Sequence, residues 1–201
     1  MIQLNLIEKP SQEIITLDEA KNYLRIDHDF DDNLILSFIK STREAMESII
    51  QKSIMKQIWE YKLYNSSISD FDFIESDYPS IFSGTMKITL PKPPIIKIIS
   101  VAIDNKELSS GKYSLGKINN KFCLCINSKK FLSDGRRKIS IDIVYEAGIA
   151  DCVENIPYQL KLANLMLVAN AFQERYSYRQ NSVISQGVKQ LLEPFLNLRI
   201  F

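Results

Sequence analysis

Thr16–Ile50 reads TLDEAKNYLRIDHDFDDNLILSFIKSTREAMESII and contains a helix start, an acidic break and a long amphipathic helix. Thr16 and Glu19 have capping-box spacing, in which each side chain satisfies a backbone N–H left free at a helix start. That predicts a short helix near Leu17 to Leu24. The run Asp27, Asp29, Asp31, Asp32 places carboxylates ahead of a second apolar pattern, where the helix dipole favours negative charge. A second helix should therefore begin near Asp31 or Asp32. Leu34, Ile35, Phe38, Ile39, Ala45, Met46, Ile49 and Ile50 recur at three- and four-residue steps, with Lys40, Arg43, Glu44 and Glu47 between them. One face is built to be covered. A charge at Phe38 or Ile39 should unfold the chain, whereas one at Lys40 or Glu47 should at most alter contacts with other molecules.

Toward the N-terminus, MIQLNLI alternates and is followed by Pro10, which fits either a short strand or a tail ordered by a partner. Beyond Ser53–Gln57 the period becomes two. Ile58–Tyr64, Thr85–Leu90, Ile95–Ile103, Lys112–Leu115, Lys121–Ile126 and Lys138–Tyr145 read as strands rich in β-branched and aromatic residues. Residues 65–84 read as a long polar and aromatic loop with one weak strand at Phe71–Ile74. Pro91, Pro93 and Pro94 make a stiff corner, since proline cannot donate to a ladder. Asp104-Asn105 and Asp134-Gly135 are turn dipeptides suited to hairpins.

The helical pattern returns at Ile156-Pro157. Leu160, Ala163, Leu165, Met166, Leu167, Val168, Ala169, Ala171 and Phe172 make a third helix, to about Arg175, apolar over more of its circumference than a surface helix needs. Part of the second helix should pack on it. After the polar stretch Tyr176–Gly187 comes a last short helix around Val188–Leu196, interrupted by Pro194. The expected fold is α+β: four helices from residues 1–56 and 151–201 form a bundle, and residues 57–150 form an inserted antiparallel β-rich module.

At 201 residues the chain can bury roughly 70% of its unfolded surface. Its 25 basic and 24 acidic side chains nearly cancel, so no overall field calls for nucleic acid or an anionic membrane. Residues 61–150 are mildly basic, with 13 bases to 9 acids. Cys123, Cys125 and Cys152 lack the spacing of a disulfide framework, which fits a reducing compartment. No stretch has the length of a signal core or membrane span, so a soluble, unprocessed protein is expected.

Candidate chemistry is sparse. Asp27, Asp29 and Asp31 imitate positions one, three and five of a calcium loop, but Asp32 and Phe38 stand where that loop needs glycine and a bidentate glutamate. The sole histidine, His28, lies among carboxylates in a short connection. A Cys₃His zinc site would need His28 to meet all three cysteines without knuckle spacing. Phosphate-binding glycine motifs are absent. No catalytic, metal-ligating or cofactor-binding set emerges. Lys129, Lys130, Phe131, Arg136, Arg137 and Lys138 read as a solvated hairpin rim in preference to a nucleic-acid contact. Arg175, Tyr176, Tyr178 and Arg179 read as a contact surface or a helix end.

LDEAKNYLRIDHDFDDNLILSFIKSTREAMESI also resembles the opening of tailed-phage head-tail connector (adaptor) proteins. The resemblance continues through the tryptophan strand at Gln57–Leu63, LPKPPI at Leu90–Ile95, IVYEAGIA at Ile143–Ala150, IPYQLKLANLMLVANAFQER at Ile156–Arg175, and the closing LLEPFLNLRIF. It spans most of the chain except residues 1–13 and 65–84. The resemblance implies a structural subunit of a homo-oligomeric ring, most often of twelve, in the neck of a phage, a prophage-derived particle or a gene transfer agent. Such a ring would dock on the portal protein, join the next neck or tail protein, and let DNA pass through its lumen. Its subunits would occupy the host cytoplasm before assembly. By the same resemblance, Leu198, Arg199, Ile200 and Phe201 are the candidate portal-binding residues. Two other classes fit the residues alone: a ligand- or carbohydrate-binding β module on a helical scaffold, and a carboxylate-based hydrolase, which would need two converging acids.

Overall fold

A computed structural model of the protein describes residues 1–67, 72–73, 85–118, 121–127, 138–174 and 184–196. The fold is mixed α+β, in two compact units. One unit joins Met1–Lys9 to Gln57–Ala147, and the other joins Pro10–Lys56 to the described residues from Gly148 onward. Residues 1–9 thus stand with the strands and not, as the division at residue 57 expected, with the helices. The strand partners of Ile2–Glu8 lie at least 50 residues away in sequence, beyond the reach of a local pattern.

Four α-helices occur among the described residues: α1 (Leu17–Leu24), α2 (Asp32–Ile50), α3 (Tyr158–Gln173) and α4 (Gln186–Leu192). The capping box of α1 is complete. The Glu19 N–H donates to Thr16 Oγ1 at 3.1 Å, and the Thr16 N–H donates to Glu19 Oε2 at 2.7 Å. Arg25 ends α1 in the left-handed region at φ 57°, and Gln51 ends α2 in the same way. Pro157 occupies the N-cap of α3, one residue before the helical position expected for it. Ser185 caps α4 by accepting the Val188 N–H at 3.4 Å. Pro194 cannot continue that ladder, and the chain tightens into a 3₁₀ turn over Glu193–Phe195.

The core of this unit is formed by Ile35, Ile39, Met46 and Ile50 of α2 against Leu160, Ala163 and Val168 of α3, with Val188 and Leu192 of α4 and Ala20 of α1. Each fully buried branched or long apolar side chain contributes about 1.5–3 kcal/mol. One polar link crosses the α2–α3 contact, where Asn164 Nδ2 donates to Thr42 Oγ1 at 3.1 Å. Ser53–Lys56 and Gly148–Ala150 run side by side: the Ala150 N–H donates to the Ile54 carbonyl at 3.0 Å and the Lys56 N–H to the Ala150 carbonyl at 2.9 Å. A Cβ at position 148 would lie 2.7 Å from the Lys56 backbone. Only glycine fits there, which accounts for the glycine of the EAGIA stretch.

In the β unit nine strands are described: β1 (Ile2–Glu8), β2 (Gln57–Ser67), β3 (Asp72–Phe73), β4 (Thr85–Thr89), β5 (Ile95–Ile103), β6 (Lys106–Glu107), β7 (Tyr113–Ile118), β8 (Lys121–Asn127) and β9 (Lys138–Ala147). They form two antiparallel sheets, ordered β1-β2-β9-β5-β6 and β3-β4-β8-β7. One apolar cluster draws on both: Ile141, Ile143 and Val101 from the first, and Met86, Leu124 and Ile126 from the second. Asp104 and Asn105 both have positive φ, at 48° and 63°, the geometry of a tight turn matched to strand twist, and they join β5 to β6. Tyr145, wholly buried, donates its hydroxyl to the Pro91 carbonyl at 2.8 Å and so anchors the LPKPPI corner to β9. Burial pushes that phenol far above its ordinary pKa, which keeps it a donor.

Candidate assembly surface

The acidic stretch between α1 and α2 is an ion-pair clamp more than a cap. Asp31 makes no side-chain capping hydrogen bond at the start of α2. Instead Lys21, in the last turn of α1, reaches Asp29 at 2.6 Å and Asp32 at 2.9 Å. The hydrogen bonds that Lys21 donates to these carboxylates raise its pKa, and Lys21 lowers that of Asp29. The clamp fixes the turn that carries His28 and Phe30, whose rings lie 5.5 Å apart. Phe30 is 95% exposed.

The polar residues of α2 do not all face water. Arg43 is only 1% exposed, and its guanidinium meets Glu13 at 2.6 Å, Glu47 at 3.0 Å and Glu44 at 3.5 Å. Glu47 is 5% exposed and also accepts the Ile54 N–H at 2.8 Å. This corrects the expectation that a charge change at Glu47 would affect contacts with other molecules alone. An i,i+4 Arg–Glu pair has the same sequence signature on a solvated face as in a buried one.

Exposed apolar side chains are spread over both units. In the helical unit they are Tyr23, Phe30, Leu34, Leu36, Tyr158, Leu162 and Leu196, with Tyr158 88% exposed. An open, mostly apolar groove of about 410 Å³ lies between Tyr158, Leu162 and Leu165 of α3 and Leu191 of α4. In the β unit they are Ile2 and Ile7 of β1 and Ile96 and Ile99 of β5. Three of these sit at register breaks. The β1–β2 ladder skips Ile7, and the β5–β9 ladder skips Ile96 and Ile99. At a β-bulge the extra residue is unpaired and its side chain is re-aimed. A period-two reading cannot show an extra residue, so the sequence did not reveal these positions.

The proposed portal-binding residues Leu198, Arg199, Ile200 and Phe201 lie outside the described residues, as do Lys129–Arg137 and Arg175–Arg179. Among the described residues no group of three or more histidine, cysteine, aspartate and glutamate side chains could hold a metal ion. The three cysteines are free thiols. No described helix is long and apolar enough to cross a membrane.

Three solved structures share this fold over nearly the whole chain. A chain from the neck of an empty GTA particle with C6 symmetry superposes with a TM-score of 0.70 at 15% identity, over 99% of this chain and 97% of its own. A chain from the virion of a native gene transfer agent particle gives 0.68 at 16% identity, with the same coverage. A chain from the neck of a native GTA particle with C12 symmetry gives 0.66 at 15% identity, again over 99% and 97%. No curated protein matches. The family model described as phage gp6-like head-tail connector protein matches residues 14–123, which span α1, α2 and most of the β unit. Since that match covers more than half of the chain, the protein belongs to the phage gp6-like head-tail connector family.

Proposed function

We propose that the protein is a structural subunit of a neck ring, joining the portal of a phage or gene-transfer-agent particle to the next neck or tail component, with DNA passing through the lumen. The observation that carries this reading is the end-to-end likeness to a chain of a C12-symmetric particle neck, added to family membership. Twelve copies are the expected number. Subunits gather in the host cytoplasm and enter the particle by docking on the portal. Residues Leu198, Arg199, Ile200 and Phe201 supply part of that contact. The surface chemistry is compatible: both units carry exposed apolar side chains beyond those their own cores use. The role calls for no catalytic residue and no cofactor.

Removal of residues 197–201 tests the docking role. Portal binding should be lost while the circular-dichroism spectrum stays the same. Unchanged binding would contradict the assignment of those residues and leave the ring itself to be tested by mass.

A further inference from the structure

We infer that the ring closes, at least in part, by adding the β1 edge of one copy to the β5 edge of the next, so that the five-stranded sheets join around it. The inference rests on the ring reading above. A head-to-tail ring contact needs two different surfaces on one subunit that complement each other, whereas a self-complementary patch closes a dimer. The sheet ordered β1-β2-β9-β5-β6 supplies such a pair. β1 ends it on one side. On the other, β6 pairs only with Ala102 and Ile103, and among the described residues Lys97–Ser100 have no strand beyond them.

Strand sense agrees. β1 is antiparallel to β2, β2 to β9 and β9 to β5, so β1 and β5 run in opposite directions. Neighbouring copies in a many-membered ring differ by a small rotation, so β1 beside the next copy's β5 makes an antiparallel ladder.

Height agrees as well. Leu4 pairs with Tyr61, Tyr61 with Ile143, and Ile143 with Val101; Glu8 pairs with Ile58, Ile58 with Glu146, and Glu146 with Lys97. Without any stagger, Leu4–Glu8 therefore stand level with Lys97–Val101, of which Lys97–Ser100 are open; the Val101 carbonyl already accepts the Leu108 N–H at 2.8 Å. The bulged Ile7 falls at the height of Lys97 and Ile98, flanked by the bulged Ile96 and Ile99. Exposed edges ordinarily carry lysine, proline or other charges that discourage pairing. Here the bulge positions on both edges hold exposed isoleucines. Glu8 is level with Lys97, whose ammonium already meets Glu146 at 3.0 Å while its side chain stays 62% exposed, so Glu8 would join an existing ion pair. A β1 edge meeting the apolar groove of the helical unit is the competing contact.

The test uses the full chain carrying Ile7→Lys, Ile99→Glu, or both, with and without the portal protein. Ring content is read by native mass spectrometry and subunit folding by circular-dichroism melting. Each single substitution should cut the ring fraction at least tenfold with an unchanged monomer melt, and the pair should restore it. Rings that form normally from either single variant overturn the edge contact and leave the ring reading standing. An unsubstituted chain that forms no ring under any of these conditions overturns both. Should a variant not fold, a benzophenone photo-cross-linker at position 7 decides: attachment to residues 95–101 of another copy supports the contact, and attachment elsewhere, or none within assembled rings, overturns it.

Discussion

Arg43→Ala would leave Glu47 buried without its partner, and breaking a buried pair from one side costs about 3–5 kcal/mol. The variant should therefore unfold at markedly lower urea concentration, and Glu47→Lys should do the same. A midpoint matching the parent protein would show that the pair is solvated. Gly148→Ala forces a Cβ against the Lys56 backbone, and overpacking of that kind costs about 1–3 kcal/mol, measurable by thermal melting. At this scale Thr16 and Glu19 were legible, because a capping box joins residues three apart. The burial of Arg43 and Glu47 was not, since their partners lie outside the helical repeat: Arg43 meets Glu13, 30 residues away, and Glu47 accepts the Ile54 N–H.

The elements follow the same division between near and far. Thr16→Ala should cost about 1 kcal/mol through loss of the α1 cap, read by urea denaturation. The β1–β2 pairing is tied by Glu60, which accepts from Lys62 Nζ at 2.9 Å and from Asn5 Nδ2 at 3.0 Å. Those contacts, Lys62 first, lower the Glu60 pKa below its ordinary 4.5. A depressed carboxylate adds stability that is present above the ordinary value and lost as pH falls through the folded one. The unfolding midpoint should thus fall on acidification below pH 4.5 more steeply in the parent than in Glu60→Gln, and identical slopes would contradict this. Both long helices and six strands were legible from periodicity. Whether Ile2–Glu8 was strand or tail was not, because the choice depends on pairing with Ile58–Leu63. The left-handed ends at Arg25 and Gln51 carried no glycine to announce them.

The whole molecule divides its charged and apolar side chains between two kinds of contact. Charged groups tie its elements together, through the Lys21 clamp and the Arg43 cluster, while isoleucines, leucines and aromatics stand exposed. That distribution suits the proposed ring subunit, which would bind copies of itself and the components on either side. The family was legible because the motifs keep their order along the chain, as the match over residues 14–123 bears out. The proposed contact surfaces were not, because exposure at a bulge or beside a sheet edge is a property of the folded sheet. Native mass spectrometry of the full chain with and without its portal protein tests the central claim most directly. Addition of subunits to the portal in multiples of twelve is the expected result, and a chain that stays monomeric, or binds the portal without forming a closed ring, would contradict it.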